Sequence, residues 1–224
     1  MKKNFKKLLA LTLVFIMVLI PVQVSAKTLI PERVIYLPVH TGVVENIGFY
    51  PPDKKPKITL SNKKIGTIKK SVNDIGFISF DFVPKKAGKT LVTMKITEGT
   101  SKFYFKVVNY KNPVSSIKLG KTTIKGNKFN KTDKLSLSYS KYAKQSNSLK
   151  IVPKKGWRVR GFYSLDKKGE TTYYSGNKFK PIGGKGNCTL RIVFASVNVN
   201  AQTYIDIDLS LIHISEPTRR RGIS

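Results

Sequence analysis

Apolar and polar residues alternate with a period of two along most of this chain. Ile78, Phe80 and Phe82 alternate with Ser79 and Asp81. Val92, Met94 and Ile96 alternate with Thr93 and Lys95, and Phe103, Phe105 and Val107 with Lys102, Tyr104 and Lys106. A second set follows. Leu135, Leu137 and Tyr139 alternate with serines, and Leu149, Ile151 and Val152 form a short apolar run. Trp157, Val159 and Gly161 alternate with Arg158, Arg160 and Phe162. Leu190, Ile192 and Phe194 alternate with Arg191 and Val193, and Ile205 and Ile207 with Tyr204, Asp206 and Asp208. Period two with one polar face predicts half-buried strands. No window of helical length carries apolar residues at helical spacing outside the N-terminal segment, so the pattern predicts an all-β fold.

Turn residues separate the strands, among them Pro51-Pro52-Asp53, Ala87-Gly88, Glu98-Gly99, Lys155-Gly156, Lys168-Gly169, Ser175-Gly176-Asn177 and Gly183-Gly184-Lys185-Gly186. Short strands at this spacing predict β-sandwiches. The segment Asn109 to Pro113 divides the body nearly in half. Two tandem immunoglobulin-like sandwiches, residues 27–111 and 112–208, are therefore expected, with one continuous sandwich as the alternative.

The N-terminus has another character. Lys2, Lys3, Lys6 and Lys7 precede an apolar run from Leu8 to Ile20, broken by Thr12, and the segment ends on Val24-Ser25-Ala26. Charge, apolar stretch and small residues in that order predict a secretory signal peptide, residues 1–26, cleaved after Ala26. The run is short for a membrane span, and no later stretch is long and apolar enough for one. A secreted or cell-wall-associated protein is expected, with no transmembrane segment after cleavage. One cysteine, Cys188, excludes an internal disulfide.

The stretch Phe82-Val83-Pro84-Lys85-Lys86-Ala87-Gly88-Lys89-Thr90-Leu91-Val92-Thr93-Met94-Lys95-Ile96 resembles the C-terminal part of bacterial immunoglobulin-like domains. Those domains carry a Pro-x-x-Ala-Gly corner leading into an alternating Val/Thr strand. The resemblance implies that Lys102 to Val108 is the last strand of the first sandwich. Asn112-Pro113-Val114 and Lys154-Lys155-Gly156-Trp157 look like domains that follow such modules in secreted proteins of gut-type Firmicutes. At the other end, Leu209 to Arg219 resembles the translation of a sequencing-library transposon adapter. Residues 209–224 are therefore expected to be an artefactual tail, with the strand alternation nearly complete by Asp208.

Charge sharpens the picture. The chain has 42 Lys+Arg against 12 Asp+Glu, a net +30. Removing the four lysines of residues 1–26, and the three arginines and one glutamate of residues 209–224, leaves +24 on residues 27–208. Such a surface attracts polyanions. Export argues against nucleic acid as the normal partner and points to an anionic cell-wall polymer such as teichoic acid, or to an anionic polysaccharide. The opposing reading is that lysine here only solubilises the chain.

Candidate chemistry is sparse. With His213 in the adapter-like tail, His40 and Cys188 remain, too few for a zinc site of the usual kind. Asp206 and Asp208 share one strand face but fall short of the oxygens Ca²⁺ requires, and they read as solvated charges paired with lysines. Gly183-Gly184-Lys185-Gly186 lacks the P-loop spacing. Leu37-Pro38-Val39-His40-Thr41-Gly42 has one residue too many for a sortase signal and reads as a strand-ending turn. No catalytic residue, metal or cofactor is expected. The candidate binding surface is the strand from Trp157: Arg158 and Arg160 facing outward behind Lys154 and Lys155, with Tyr173 and Tyr174 on the next strand. Bases interleaved with aromatics can hold sugars or phosphate polymers. The expected role is a secreted or surface module for binding or structure, without enzymatic activity. The alternative is an accessory region of a larger adhesin or of a wall- or carbohydrate-active enzyme.

Overall fold

The computed structural model describes residues 29–42, 44–143, 145–181 and 187–210. The expected signal peptide, the Gly183–Gly186 loop and most of the adapter-like tail lie outside the described residues. The described chain is built of strands: β1 (Glu32–Tyr36), β2 (Glu45–Tyr50), β3 (Lys57–Leu60), β4 (Gly66–Val72), β5 (Ile78–Pro84), β6 (Gly88–Ile96), β7 (Gly99–Val108), β8 (Val114–Leu119), β9 (Thr122–Lys125), β10 (Lys134–Ser138), β11 (Asn147–Pro153), β12 (Trp157–Leu165), β13 (Thr171–Tyr173), β14 (Lys178–Phe179), β15 (Asn187–Ser196) and β16 (Gln202–Ser210). Short 3-10 turns at Gly126–Phe129 and Tyr139–Lys141 are the helical elements among the described residues. The all-β expectation holds.

Four sheets form two sandwiches. In the first, the sheet β1-β7-β6-β3 packs on β2-β5-β4. Their inner faces share one core of Ile65, Phe82, Val92, Phe103, Phe105 and Val107. Phe82 and Phe105, from facing sheets, stack with ring centroids 4.4 Å apart. In the second, β10-β16-β15-β12-β13 packs on β14-β11-β8-β9. The second core is larger, with Ile117, Leu119, Phe129, Phe179, Leu190, Ile192, Phe194, Ile205 and Ile207 fully buried. Two inner faces interdigitating over a shared core define a β-sandwich. In each sandwich one pair is parallel, β1 with β7 and β10 with β16.

The corner between β5 and β6 has the geometry that its sequence implies. The amides of Lys85 and Lys86 donate to the Ile65 carbonyl, and Gly88 takes φ 147°, with Ile65 Cδ1 only 2.4 Å from where a Cβ would stand. Both the conformation and the close approach favour glycine.

The segment between the sandwiches is stitched down. Asn112, Pro113 and Val114 are buried while Lys111 is exposed. Asn112 Nδ2 donates to the Gly126 carbonyl (2.7 Å) and to Asn130 Oδ1 (2.9 Å), and Asn112 Oδ1 accepts from the Val114 amide. The Tyr110 hydroxyl sits 3.0 Å from the carbonyls of Phe129 and Thr132. Burial, and then the Asp133 charge, push the Tyr110 phenol well above its ordinary range.

β16 continues two residues past Asp208, where the alternation was expected to end. Leu209 is 1% exposed, pairs with Cys188 and Leu137, and belongs to the second core. The adapter-like run begins on an apolar residue in phase with Ile205 and Ile207, which is all the sheet requires to extend the strand.

Candidate binding surface

The turn that leads into β12 is closed by the Trp157 amide donating to the Lys154 carbonyl at 3.1 Å, with Gly156 at φ 87°. A positive φ at the third turn position marks a type II turn and favours glycine there. Trp157 then enters the core, its ring 5.0 Å from that of Tyr36. Arg158 points outward, as the alternation predicts.

Beyond Arg158 the alternation breaks. Val159 pairs with Phe194 but Gly161 pairs with Val193, so Arg160 is the extra residue of a β-bulge. A bulge shifts the phase of everything after it. Phe162, expected on the outer face with the arginines, is instead buried, and Tyr163 takes the outward position.

Tyr173 and Tyr174 separate accordingly. Tyr173 pairs with Tyr163 across β12 and β13, their rings 5.3 Å apart, and it is 78% exposed. Tyr174 lies just past the end of β13. Its ring stacks on Phe162 at 5.8 Å and meets Phe179 edge-on at 5.4 Å. Its hydroxyl lies 2.9 Å from Ser164 Oγ and donates to the Lys180 carbonyl at 2.6 Å. Burial raises the Tyr174 phenol above its ordinary value. Tyr174 is thus an edge residue of the second core. The outer face carries Arg158, Arg160, Tyr163 and Tyr173, but the tyrosine pair begins five residues along β12 from Arg158, roughly 17 Å away at strand spacing. The structure places these groups on one face, with Arg158 far from the tyrosine pair and Arg160 three residues from Tyr163. Tyr163 escaped the sequence reading because a bulge leaves no mark on periodicity.

The same face holds the polar junction between the sandwiches. Asp133 is 1% exposed and accepts from the amides of Val39 (2.8 Å), His40 (2.7 Å) and Thr41 (3.3 Å), and from Thr41 Oγ1 (3.0 Å). The segment after β1, expected to be a strand-ending turn, is that turn, and its amides close on a carboxylate of the other sandwich. Beside it Arg191 grips Asp206 with two bonds, Nε to Oδ1 (2.8 Å) and Nη2 to Oδ2 (2.7 Å), and Nη2 also donates to the Thr41 carbonyl.

Asp206 corrects the expectation of a solvated strand-face charge: it is 4% exposed. Burial raises its carboxyl above the ordinary value, partly opposed by Arg191. For Arg191, burial opposes the charge, but Asp206 outweighs it and holds the guanidinium firmly protonated. Asp208 does behave as expected, paired with Lys134 at 2.7 Å. A cavity of about 450 Å³ opens next to the junction, lined by Arg33, Glu45, Thr203 and Tyr204 among others. Burial raises the Glu45 carboxyl, with Arg33 opposing. No group of three or more His, Cys, Asp or Glu that could hold a metal occurs among the described residues.

No protein-family model matches this chain, and no curated protein matches it. Solved structures with some likeness include domains 5-6 of the S-layer protein SbsC, at 14% identity and TM-score 0.25, covering 74% of this chain and 97% of that one. The tandem Ig repeats of Dlar align at 10% identity and TM-score 0.33, covering 82% and 95%. The fibronectin(III)-like modules of Clostridium thermocellum CbhA align at 9% identity and TM-score 0.23, covering 83% and 92%. Likeness at this level carries no functional argument. The sandwich assignment stands on the sheets and cores described above.

Proposed function

We propose that this chain is an extracellular, non-enzymatic module that attaches to anionic wall polymers through a dispersed lysine surface. One observation carries the reading. Lys57 faces Lys95 across β3 and β6, and Lys118 faces Lys150 across β8 and β11, all four exposed. Like charges directly opposite on a sheet destabilise it. None of these four lysines takes part in an ion pair among the described residues, where the ion pairs join Glu32 to Lys89 and Lys106, Glu98 to Lys54, Asp208 to Lys134 and Asp206 to Arg191. By contrast Lys89 and Lys106, also opposite one another, share Glu32. Repulsion left unrelieved within the chain is relieved by an external polyanion.

Lysine suits this role. Its ammonium is a compact charge on a flexible stem, fit for loose contact at many points. Lys154, Lys155, Arg158, Arg160 and Tyr173 belong to this surface as contributors, with Tyr174 buttressing the strand edge behind them. The test is co-sedimentation with purified Gram-positive walls, intact or stripped of teichoic acid. Binding should follow the phosphate polymer. The double variants Lys118→Glu/Lys150→Glu and Arg158→Glu/Arg160→Glu should each weaken it by a similar share. Equal retention on stripped walls would reject the polymer, and abolition by the arginine pair alone would replace the diffuse surface with a local site.

A further inference from the structure

The sheet β2-β5-β4 carries a second candidate surface of different chemistry. Its outer face forms an open groove of about 500 Å³ whose lining includes Asn46, Phe49, Val72, Phe77, Ser79 and Asp81. A β-bulge builds it. Asn46 pairs with Asp81 and Gly48 with Phe80, so Ile47 is the extra residue, and Phe49 comes out beside Asn46 instead of turning into the core. Phe49 is 68% exposed, Val72 58% and Phe77 38%.

Beside the rings lies an ordered polar patch. Asn46 Nδ2 donates to Ser79 Oγ and to Asp81 Oδ1, both at 2.9 Å. Phe77 is fixed through its amide, which donates to Asn73 Oδ1 at 2.8 Å. That leaves Asn46 Oδ1 and Asp81 Oδ2 without hydrogen-bond partners among the described residues, both available as acceptors.

Charge selects the occupant. In a chain of net +30, the groove lining itself holds no lysine or arginine and one carboxylate, with Lys69 flanking it opposite Asp81 across β4 and β5. The lining offers a phosphate polymer a single flanking cation against a carboxylate, a poor match for a polyanion. An uncharged pyranose chain fits. Its apolar C–H face lies on an exposed ring, as amphipathic ligands do on aromatics. Its hydroxyls donate to fixed acceptors, which are strongest where the acceptor is charged. We infer that the outer face of β2-β5-β4 is a binding platform for neutral glycan chains, separate from the lysine surface. The inference does not depend on the wall-polymer reading.

Isothermal titration of the chain with cellohexaose and with the hexamer of N-acetylglucosamine tests it. At least one should bind, with the same affinity at about 0.05 M and about 0.5 M salt, because no ion pair is involved. Loss of one stacking ring in Phe49→Ala or Phe77→Ala should weaken binding by about fivefold. Thermal unfolding of both variants guards against a folding defect, and exposed Phe49 should be replaceable without one. Poly(glycerol phosphate) should not compete. Absence of binding to both hexamers, binding unchanged in Phe49→Ala, or competition by the phosphate polymer would each overturn the proposal. So would a wild-type dimer that Phe49→Ala converts to monomer in sedimentation, since a second copy would then occupy the face. Salt-sensitive wall attachment and salt-insensitive glycan binding can fail independently, so the two readings remain separable.

Discussion

Replacing Asp133 with alanine would leave three backbone amides and one hydroxyl of the 39–41 segment without their acceptor. Buried donors stripped of a charged partner are costly, and Asp133→Ala should destabilise the chain by about 3 kcal/mol. Chemical denaturation checks this, and a loss below about 1 kcal/mol would mean that water replaces the carboxylate without penalty. No sequence pattern announced this residue. Its partners stand more than ninety positions away, at separations of 92 to 94. Glu45 offers the opposite sign. Burial raises its folded carboxyl pKa above the unfolded value. Between those two values the native state binds more protons than the unfolded one, so its contribution falls as pH rises through that window and stays unfavourable at neutral pH. Glu45→Gln should therefore raise the melting temperature at pH 7, with the gain vanishing well below the carboxylate range. A loss at pH 7 would show that attraction to Arg33 outweighs burial.

Elements were legible wherever the chain kept its phase. The alternation of Ile78 to Phe82 and of Phe103 to Val107 appears directly in β5 and β7, with those apolar residues buried. It failed at Arg160 and was blind at Ile47, because an inserted residue costs the sheet little and changes no composition. Both bulges matter for surfaces: one turns Tyr163 outward, the other Phe49. The adapter-like start of the tail is the complementary case. Leu209 fits the core by phase alone, so Leu209→Ala should cost about 3 kcal/mol, as for other buried leucines. Equilibrium unfolding of that single variant is the measurement, and a change within about 0.5 kcal/mol would place the end of the working strand at Asp208 after all.

At the scale of the molecule, composition revealed the charge but not its arrangement. Two cores, each fed by two sheets, were readable from strand count and turn spacing. How the acids are spent was not, since Asp133 and Asp206 look in sequence like any other carboxylates on a basic surface. Only the register shows that Lys57 and Lys95, and Lys118 and Lys150, confront each other without an acid between them. Attachment through such a surface is electrostatic. Contact between a lysine surface and a polyphosphate releases condensed counterions, so the logarithm of affinity should fall linearly with the logarithm of salt. The direct measurement is a salt titration of binding to teichoic-acid-bearing walls, comparing the chain with Lys118→Glu/Lys150→Glu. A steep negative slope that becomes shallower in the variant is expected. Binding that does not change with salt, or a slope the variant leaves untouched, would contradict it.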